Sequence, residues 1–208
     1  MASALDKGMI NSFEVTWDYR CPFARNAHEH LVTALDGGAE WNVGFRVFAL
    51  DQAHVSEGDP PVWEQPDRYP GLIANQAGIV VRDREPEKFH RAHIALFAAR
   101  HDRAQDLRER EVIARTLDGV GVDGAGVLSE IDAGWPLEVL RDEHTRAVDG
   151  LDVFGVPTFI VGDRAVFVRL MDRPEGDAKK AISAIERVLE LADSWPELNE
   201  FKYTRINR

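Results

Sequence analysis

The 208-residue chain has one cysteine, no apolar run long enough to span a membrane, and a shortage of positive charge. Each deficit excludes something. A single cysteine rules out an internal disulfide framework, so in a reducing compartment Cys21 is either a small core hydrophobe or a chemical residue. Lys and Arg total 25 against 36 Asp and Glu, a formal net charge of -11, and the basic residues are nearly all Arg. That balance argues against broad attraction to nucleic acid or to an anionic membrane surface. Residues Met1 to Ile10 lack the apolar core of a secretory signal, which makes the cytoplasm the expected compartment. A Gly-rich phosphate loop, a Ser-centred hydrolase elbow and a recognisable carboxylate pair are also missing.

What is present reads as an α/β chain. Ser12 to Trp17 alternates apolar and polar residues as a strand does. Pro22 then stands where a first helical residue belongs, and Ala27, Leu31, Ala34 and Leu35 recur at helical spacing up to Gly37-Gly38. Trp41 to Leu50 alternates again, and a strand-helix-strand unit of this length forms a right-handed parallel crossover. Between Asp51 and Asp149 the strand signal vanishes. A Pro-rich connection from Pro60 to Pro70 precedes helices expected around 85–103, 107–120, 124–133 and 136–148. Thr158 to Val161, a Gly162-Asp163 turn and Ala165 to Val168 predict a hairpin. A closing amphipathic helix covers roughly 175–192, with Ala181, Ile182, Ile185, Val188, Leu189 and Ala192 on one face. The order is βαβ, a helical block, then ββα. The expected division is residues 12–52 and 150–194 as one α/β domain, 53–149 as a helical insertion, and an aromatic, basic tail at 195–208 packing on the body.

Cys21 falls between a strand and a helix N-terminus, where unpaired amides and the helix dipole favour a thiolate. The sequence therefore predicts a lowered thiol pKa and a sulfur at an exposed turn, with Arg20 and Arg25 adding positive charge. Pro157, in Phe154-Gly155-Val156-Pro157-Thr158-Phe159, opens the returning strand. A cis Val156-Pro157 bond would free the Val156 backbone to pair with an extended substrate, while a trans bond is the ordinary alternative.

Asp18-Tyr19-Arg20-Cys21-Pro22-Phe23-Ala24 and Phe154-Gly155-Val156-Pro157-Thr158-Phe159 together resemble the DsbA-like branch of the thioredoxin superfamily. Phe89 to Arg100 looks like the first helix of that branch's insertion. The resemblance implies a thioredoxin fold (βαβ…ββα) with an inserted all-helical domain, Cys21 as nucleophile and Pro157 as the cis-proline. Phe201-Lys202-Tyr203-Thr204-Arg205 is similar to the tail of cytosolic actinobacterial relatives that work with mycothiol. Ala24 departs from the pattern: dithiol members carry their second cysteine there. The resemblance thus implies monothiol exchange, with Cys21 forming a mixed disulfide and a second small thiol releasing it. It implies no tightly bound cofactor, mycothiol or glutathione as co-substrate, and substrate contacts from Tyr19, Pro22, Phe23, Ala24, Val156 and Pro157.

Kappa-class glutathione transferases and 2-hydroxychromene-2-carboxylate isomerases resemble the chain as well, usually with Ser at the active turn. On that likeness Cys21 donates a hydrogen bond to a bound thiol, and Asp172 in Met171-Asp172-Arg173 holds the thiol's ammonium group, unless Asp172 and Arg173 form a solvated surface pair. A third alternative is a binding module that has lost turnover. The expected partners are a small thiol or disulfide and, as an open alternative, a second copy in a homodimer. His90 and His93 share a helical face without a matching ligand set, so no metal site is expected and an interface role suits them better. His28 and His30 are expected at the surface, Trp17 in the core or lining an apolar groove with Tyr19 and Phe23.

Overall fold

A computed structural model describes residues 10–203, so the segment before Ile10 and Thr204 and Arg205 of the tail motif lie outside the described residues. The chain forms β1 (Ser12–Trp17), α1 (Pro22–Asp36), β2 (Asn42–Val47), α2 (Leu72–Arg84), α3 (Pro86–His101), α4 (Arg110–Asp118), α5 (Gly124–Asp132), α6 (Trp135–Leu151), β3 (Thr158–Val161), β4 (Arg164–Phe167) and α7 (Ala178–Ser194). Four strands make one sheet in the order β2-β1-β3-β4. β1 runs parallel to β2, from Ser12 beside Asn42 to Trp17 beside Val47, and antiparallel to β3, with Val15 beside Phe159. β3 and β4 close the sheet as an antiparallel hairpin. This pairing on both sides of β1 brings the residues after Trp17 beside those before Thr158.

Apolar patterning explains the first layer. Phe13 and Val15 on β1, Ala27 and Leu31 on α1, Phe159 on β3 and Ile185 and Leu189 on α7 form one buried cluster. α1 and α7 cover it together, and they approach closely where α1 ends: a Cβ on Gly37 would lie 2.4 Å from the Ala178 Cβ. The outer edge of β2 meets side chains instead of another strand. Glu143 accepts the Val47 N–H at 2.8 Å, while Arg82 donates to the Phe45 carbonyl at 2.8 Å and to Glu143. An edge occupied this way offers less backbone for unwanted pairing.

The helical block contains one helix that sequence periodicity misses. α2 buries Leu72, Ala74, Asn75, Gln76, Ala77, Gly78, Ile79, Val80 and Val81, so it is covered nearly all round and shows no apolar stripe. The tail also departs from expectation. Instead of packing on the body, Trp195, Phe201 and Tyr203 are 53 %, 71 % and 77 % exposed, because α7 has already closed the core with its own apolar face.

A buried polar chain joins block and sheet. Tyr19 Oη lies 2.7 Å from His93 Nδ1, His93 Nε2 lies 3.0 Å from His28 Nδ1, and His28 Nε2 lies 3.0 Å from the Thr16 carbonyl. A carbonyl only accepts, so neutral His28 carries its proton on Nε2 and accepts on Nδ1. His93 must then donate from Nε2 and accept from the Tyr19 hydroxyl on Nδ1. Both histidines are fully buried, which corrects the surface expectation for His28; His30 is buried as well. Burial pushes His28 down to about 4 and His93 well below the usual histidine range, and the neutral forms are the ones the chain requires.

Two outcomes test this joint. A Cβ on Gly78 would sit 2.5 Å from Tyr19 Oη, in a place where Tyr19 is held by His93, so Gly78→Ala should destabilise by about 1–3 kcal/mol despite alanine's better helix propensity; chemical denaturation measures this. The histidines set a pH dependence. His28 and His144 fall from 6.5 to about 4 on folding, so the unfolded chain binds protons first as pH drops. Stability is whole above 6.5 and drains towards pH 4 by about 1.4 kcal/mol per pH unit for each histidine. The guanidinium midpoint should be clearly lower at pH 5 than at pH 7, and an equal midpoint would contradict neutral burial.

Candidate functional site around Cys21

Asp18 builds the turn that leads to the cysteine. Its buried carboxylate accepts the Arg20 N–H at 2.9 Å and the Leu50 N–H at 2.9 Å, and its carbonyl accepts the Cys21 N–H at 3.0 Å. Cys21 is then the N-cap of α1, with extended backbone at φ -87° and ψ 117° and Pro22 at the first helical position. The sulfur accepts the Ala24 N–H at 3.4 Å. From the other side the Cys21 Sγ–H donates to the Val156 carbonyl at 3.2 Å. The Val156-Pro157 peptide bond is cis, and the Thr158 N–H donates to Thr16 Oγ1 at 2.8 Å, which fastens this loop to β1.

The electrostatics differ from the sequence-based expectation. Cys21 is only 8 % exposed, and its thiol pKa is raised instead of lowered. Burial is the main cause; the amides of Ala24 and Phe23 pull the other way, Asp18 adds to the rise and Arg169 offsets part of it. The carbonyl contact has the same sense, since a carbonyl can bond the thiol but not the thiolate. Arg20 and Arg25 do not serve the sulfur. Arg20 pairs with Asp18 and Asp51, and Arg25 pairs with Glu29 and Asp102.

Of the residues singled out in the sequence, Cys21, Pro22, Phe23, Ala24, Val156 and Pro157 come together. Ala24 is fully buried. Tyr19 is fully buried with its hydroxyl spent on His93, and it borders, with Arg20, Arg68, Arg100 and Arg108, a cleft of about 370 Å³. A larger cleft of about 550 Å³ lies along β2, lined by Phe45, Phe89 and His90 among others; Cys21 lines neither. Trp17 is core, with the Arg82 guanidinium 5.4 Å from its ring centroid. Asp172 is largely exposed and pairs with Lys180 at 2.8 Å, which lowers its pKa, while Arg173 pairs with Glu29 and Asp102. The surface pair of Asp172 with Arg173, one of the two alternatives for Asp172, is therefore replaced by two separate pairings. Sequence reasoning missed Asp18 and Arg169. The Asp three residues before an N-cap was a readable turn signal, whereas an exposed Arg after a hairpin strand carries none. Among the described residues no group of three or more His, Cys, Asp or Glu could hold a metal ion, and no helix is long and apolar enough to cross a membrane.

Cys21 should alkylate with a pH midpoint above the free-thiol value of about 8.5, because burial outweighs the helix amides. Iodoacetamide labelling followed by mass from pH 6 to pH 10.5 measures it, and a midpoint near or below 8.5 contradicts the geometry.

An uncharacterised protein of Bacillus subtilis, YwbO, is 28 % identical over 83 residues, which span 40 % of this chain and 42 % of that relative, so the match covers less than half of either. Among solved structures, a 2-hydroxychromene-2-carboxylate isomerase superposes with a TM-score of 0.61 at 15 % identity, over 86 % of this chain and 96 % of its own. The cytosolic disulfide reductase DsbM of Pseudomonas aeruginosa, solved with GSH, gives 0.57 at 18 % identity, over 86 % and 100 %. A probable DsbA oxidoreductase of Streptomyces coelicolor gives 0.57 at 17 %, over 92 % and 93 %. At such identities these likenesses speak for the fold. The DSBA-like thioredoxin domain itself matches residues 14–175, from β1 to beyond the hairpin, and the chain belongs to that family.

Proposed function

We propose that the protein is a monothiol thiol-disulfide oxidoreductase in which Cys21 exchanges with small disulfides and a low-molecular-weight thiol is the co-substrate. The observation that carries this reading is the position of Cys21 Sγ, between the Ala24 N–H at 3.4 Å and the Val156 carbonyl at 3.2 Å. A substrate strand that takes the Val156 backbone removes the group that holds the thiol proton, and leaves the helix amides facing the sulfur. The Cys21 thiolate then attacks one sulfur of R′S–SR′, a Cys21–SR′ disulfide forms, and R′S⁻ leaves. A second thiolate RS⁻ attacks the R′ sulfur and releases R′S–SR with Cys21 thiolate restored. Electrons balance without an internal partner, which suits Ala24 at the second position.

The raised thiol pKa gives the exchange a direction. A thiolate of higher pKa is the stronger nucleophile and the poorer leaving group. Cys21 therefore attacks small disulfides well once deprotonated and gives up its mixed disulfide slowly, which is the behaviour of a reductase more than of a strong oxidant. The proposed setting is the cytoplasm, with glutathione or mycothiol as thiol. One observation favours a second reading: a neutral Sγ–H is a hydrogen-bond donor, and Cys21 could donate it to the sulfur of a bound thiol in a transferase or isomerase reaction.

The readings separate by mass spectrometry. Incubation with oxidised glutathione and with mycothiol disulfide should add one thiol to Cys21, and Cys21→Ser should lose both the adduct and disulfide exchange. An unmodified Cys21, with conjugation or isomerisation retained in Cys21→Ser, would establish the second reading in its place.

A further inference from the structure

Arg169 follows β4, is exposed, and lies close enough to Cys21 to act on its thiol electrostatically. Its guanidinium carbon lies 5.3 Å from the centroid of the Phe23 ring and 5.2 Å from that of Phe167. Both rings are tied to the surroundings of the sulfur. Phe23 stands two residues after Cys21, and Phe167 covers Gly155, where an added Cβ would come within 3.4 Å of the ring. Gly155 directly precedes Val156, whose carbonyl touches Sγ. Unlike Arg20, Arg25 and Arg173 around the same turn, Arg169 has no carboxylate partner among the described residues. A guanidinium held between aromatic rings keeps the N–H fork along its edge, the geometry that receives a carboxylate.

We propose that Arg169 selects the substrate: the small sulfur compound that exchanges with Cys21 carries a carboxylate close to its sulfur, and this carboxylate binds Arg169 as the mixed disulfide forms. The inference rests on Cys21 being the nucleophile. The Cys21 thiolate displaces RS⁻ from RS–SR, and the retained R group keeps its carboxylate on the guanidinium. Of the two co-substrates considered, glutathione carries carboxylates and mycothiol does not. Phe23 and Phe167 flank the cation with apolar surface, so the short chain between carboxylate and sulfur has rings to lie against.

The global charge makes the inference easy to overturn. A net charge of -11 repels anions, so without a local cation the order of reactivity is cationic, then neutral, then anionic disulfide. Rates of Cys21 adduct formation are measured by mass spectrometry with cystamine, hydroxyethyl disulfide and dithiodipropionate, one of each charge and similar size. The expected result is the reverse order, with the anionic compound about fivefold faster than the neutral one at low salt, the scale of an exposed ion pair. The ratio should shrink as salt is added. Arg169→Gln slows every disulfide to the extent that thiolate formation suffers, but the anionic-to-neutral ratio cancels that common factor and should fall to one or below. Arg169→Lys should keep part of the ratio. Adducts that form without the anionic preference, or a preference that survives Arg169→Gln, overturn the role of Arg169 and leave Cys21 as nucleophile intact. If Arg169→Gln does not fold, the wild-type order and its salt dependence decide alone. If no compound forms an adduct, the nucleophile reading fails and the selection by Arg169 falls with it.

Discussion

Burial of one sulfur atom is the constraint around which this structure is arranged. Cys21 Sγ touches the Val156 carbonyl across 135 residues of sequence, and the contact exists because β1 pairs with β2 on one side and β3 on the other. Asp18 holds the incoming turn through the amides of Arg20 and Leu50, and Thr16 holds the opposing loop through the Thr158 amide. A helix N-terminus contributes on the order of 0.3–1 kcal/mol towards a negative charge, whereas full desolvation of an ionisable group shifts its pKa by up to about 3–5 units. In this site desolvation prevails, and the resting sulfur is a thiol.

The helical insertion takes part in that arrangement. His93 comes from α3, yet its two nitrogens are spent on Tyr19, two residues before the cysteine, and on His28 of α1. The chain of donors runs one way, from the Tyr19 hydroxyl to the Thr16 carbonyl, so a proton gained by either histidine reverses part of it and leaves the Tyr19 O–H without its acceptor. Asn75 of α2 accepts the Tyr19 N–H at 3.3 Å and His101 at the end of α3 donates to the Tyr19 carbonyl at 2.9 Å. Tyr19 is thus held at its amide, its carbonyl and its hydroxyl by the insertion. The turn before Cys21 is as much a product of α2 and α3 as of the sheet.

This explains which parts of the protein were legible in its sequence. Elements with one wet face announced themselves by period: β1 through Phe13, Val15 and Trp17, α7 through Ala181, Ile185, Val188, Leu189 and Ala192, and α1 through Pro22 at its start. α2 has no wet face to give it a period, and its Gly78 leaves the space that Tyr19 Oη occupies. The setting of Cys21 was legible because it is local, a Cys at a strand-helix turn. The protonation of Cys21 was not, because the desolvation comes from packing and from the Val156 carbonyl. Tyr19 borders a cleft, as a turn aromatic suggests, but the bond of its hydroxyl to His93 had no local signal. Arg169 gains meaning only from Phe23 and Phe167, which the hairpin and α1 bring together.

The position of Ala24 bears directly on the proposed turnover of a lone cysteine. In a helix whose first residue is Pro22, the side chain three residues after Cys21 is turned inward: Ala24 is fully buried, and its amide is already given to the sulfur. A resolving thiol from the chain itself has neither a second cysteine nor room at that place. The Val156 carbonyl meets the sulfur from the hairpin side, and the Ala24 amide meets it from α1. Phe23 and Phe167 stand beside these elements with Arg169 against both rings, and Phe154, 71 % exposed, lies 5.1 Å from the Phe167 ring. In the proposed exchange the exposed residues of this rim decide which thiol is accepted, and the buried contacts beneath it decide how readily the sulfur reacts.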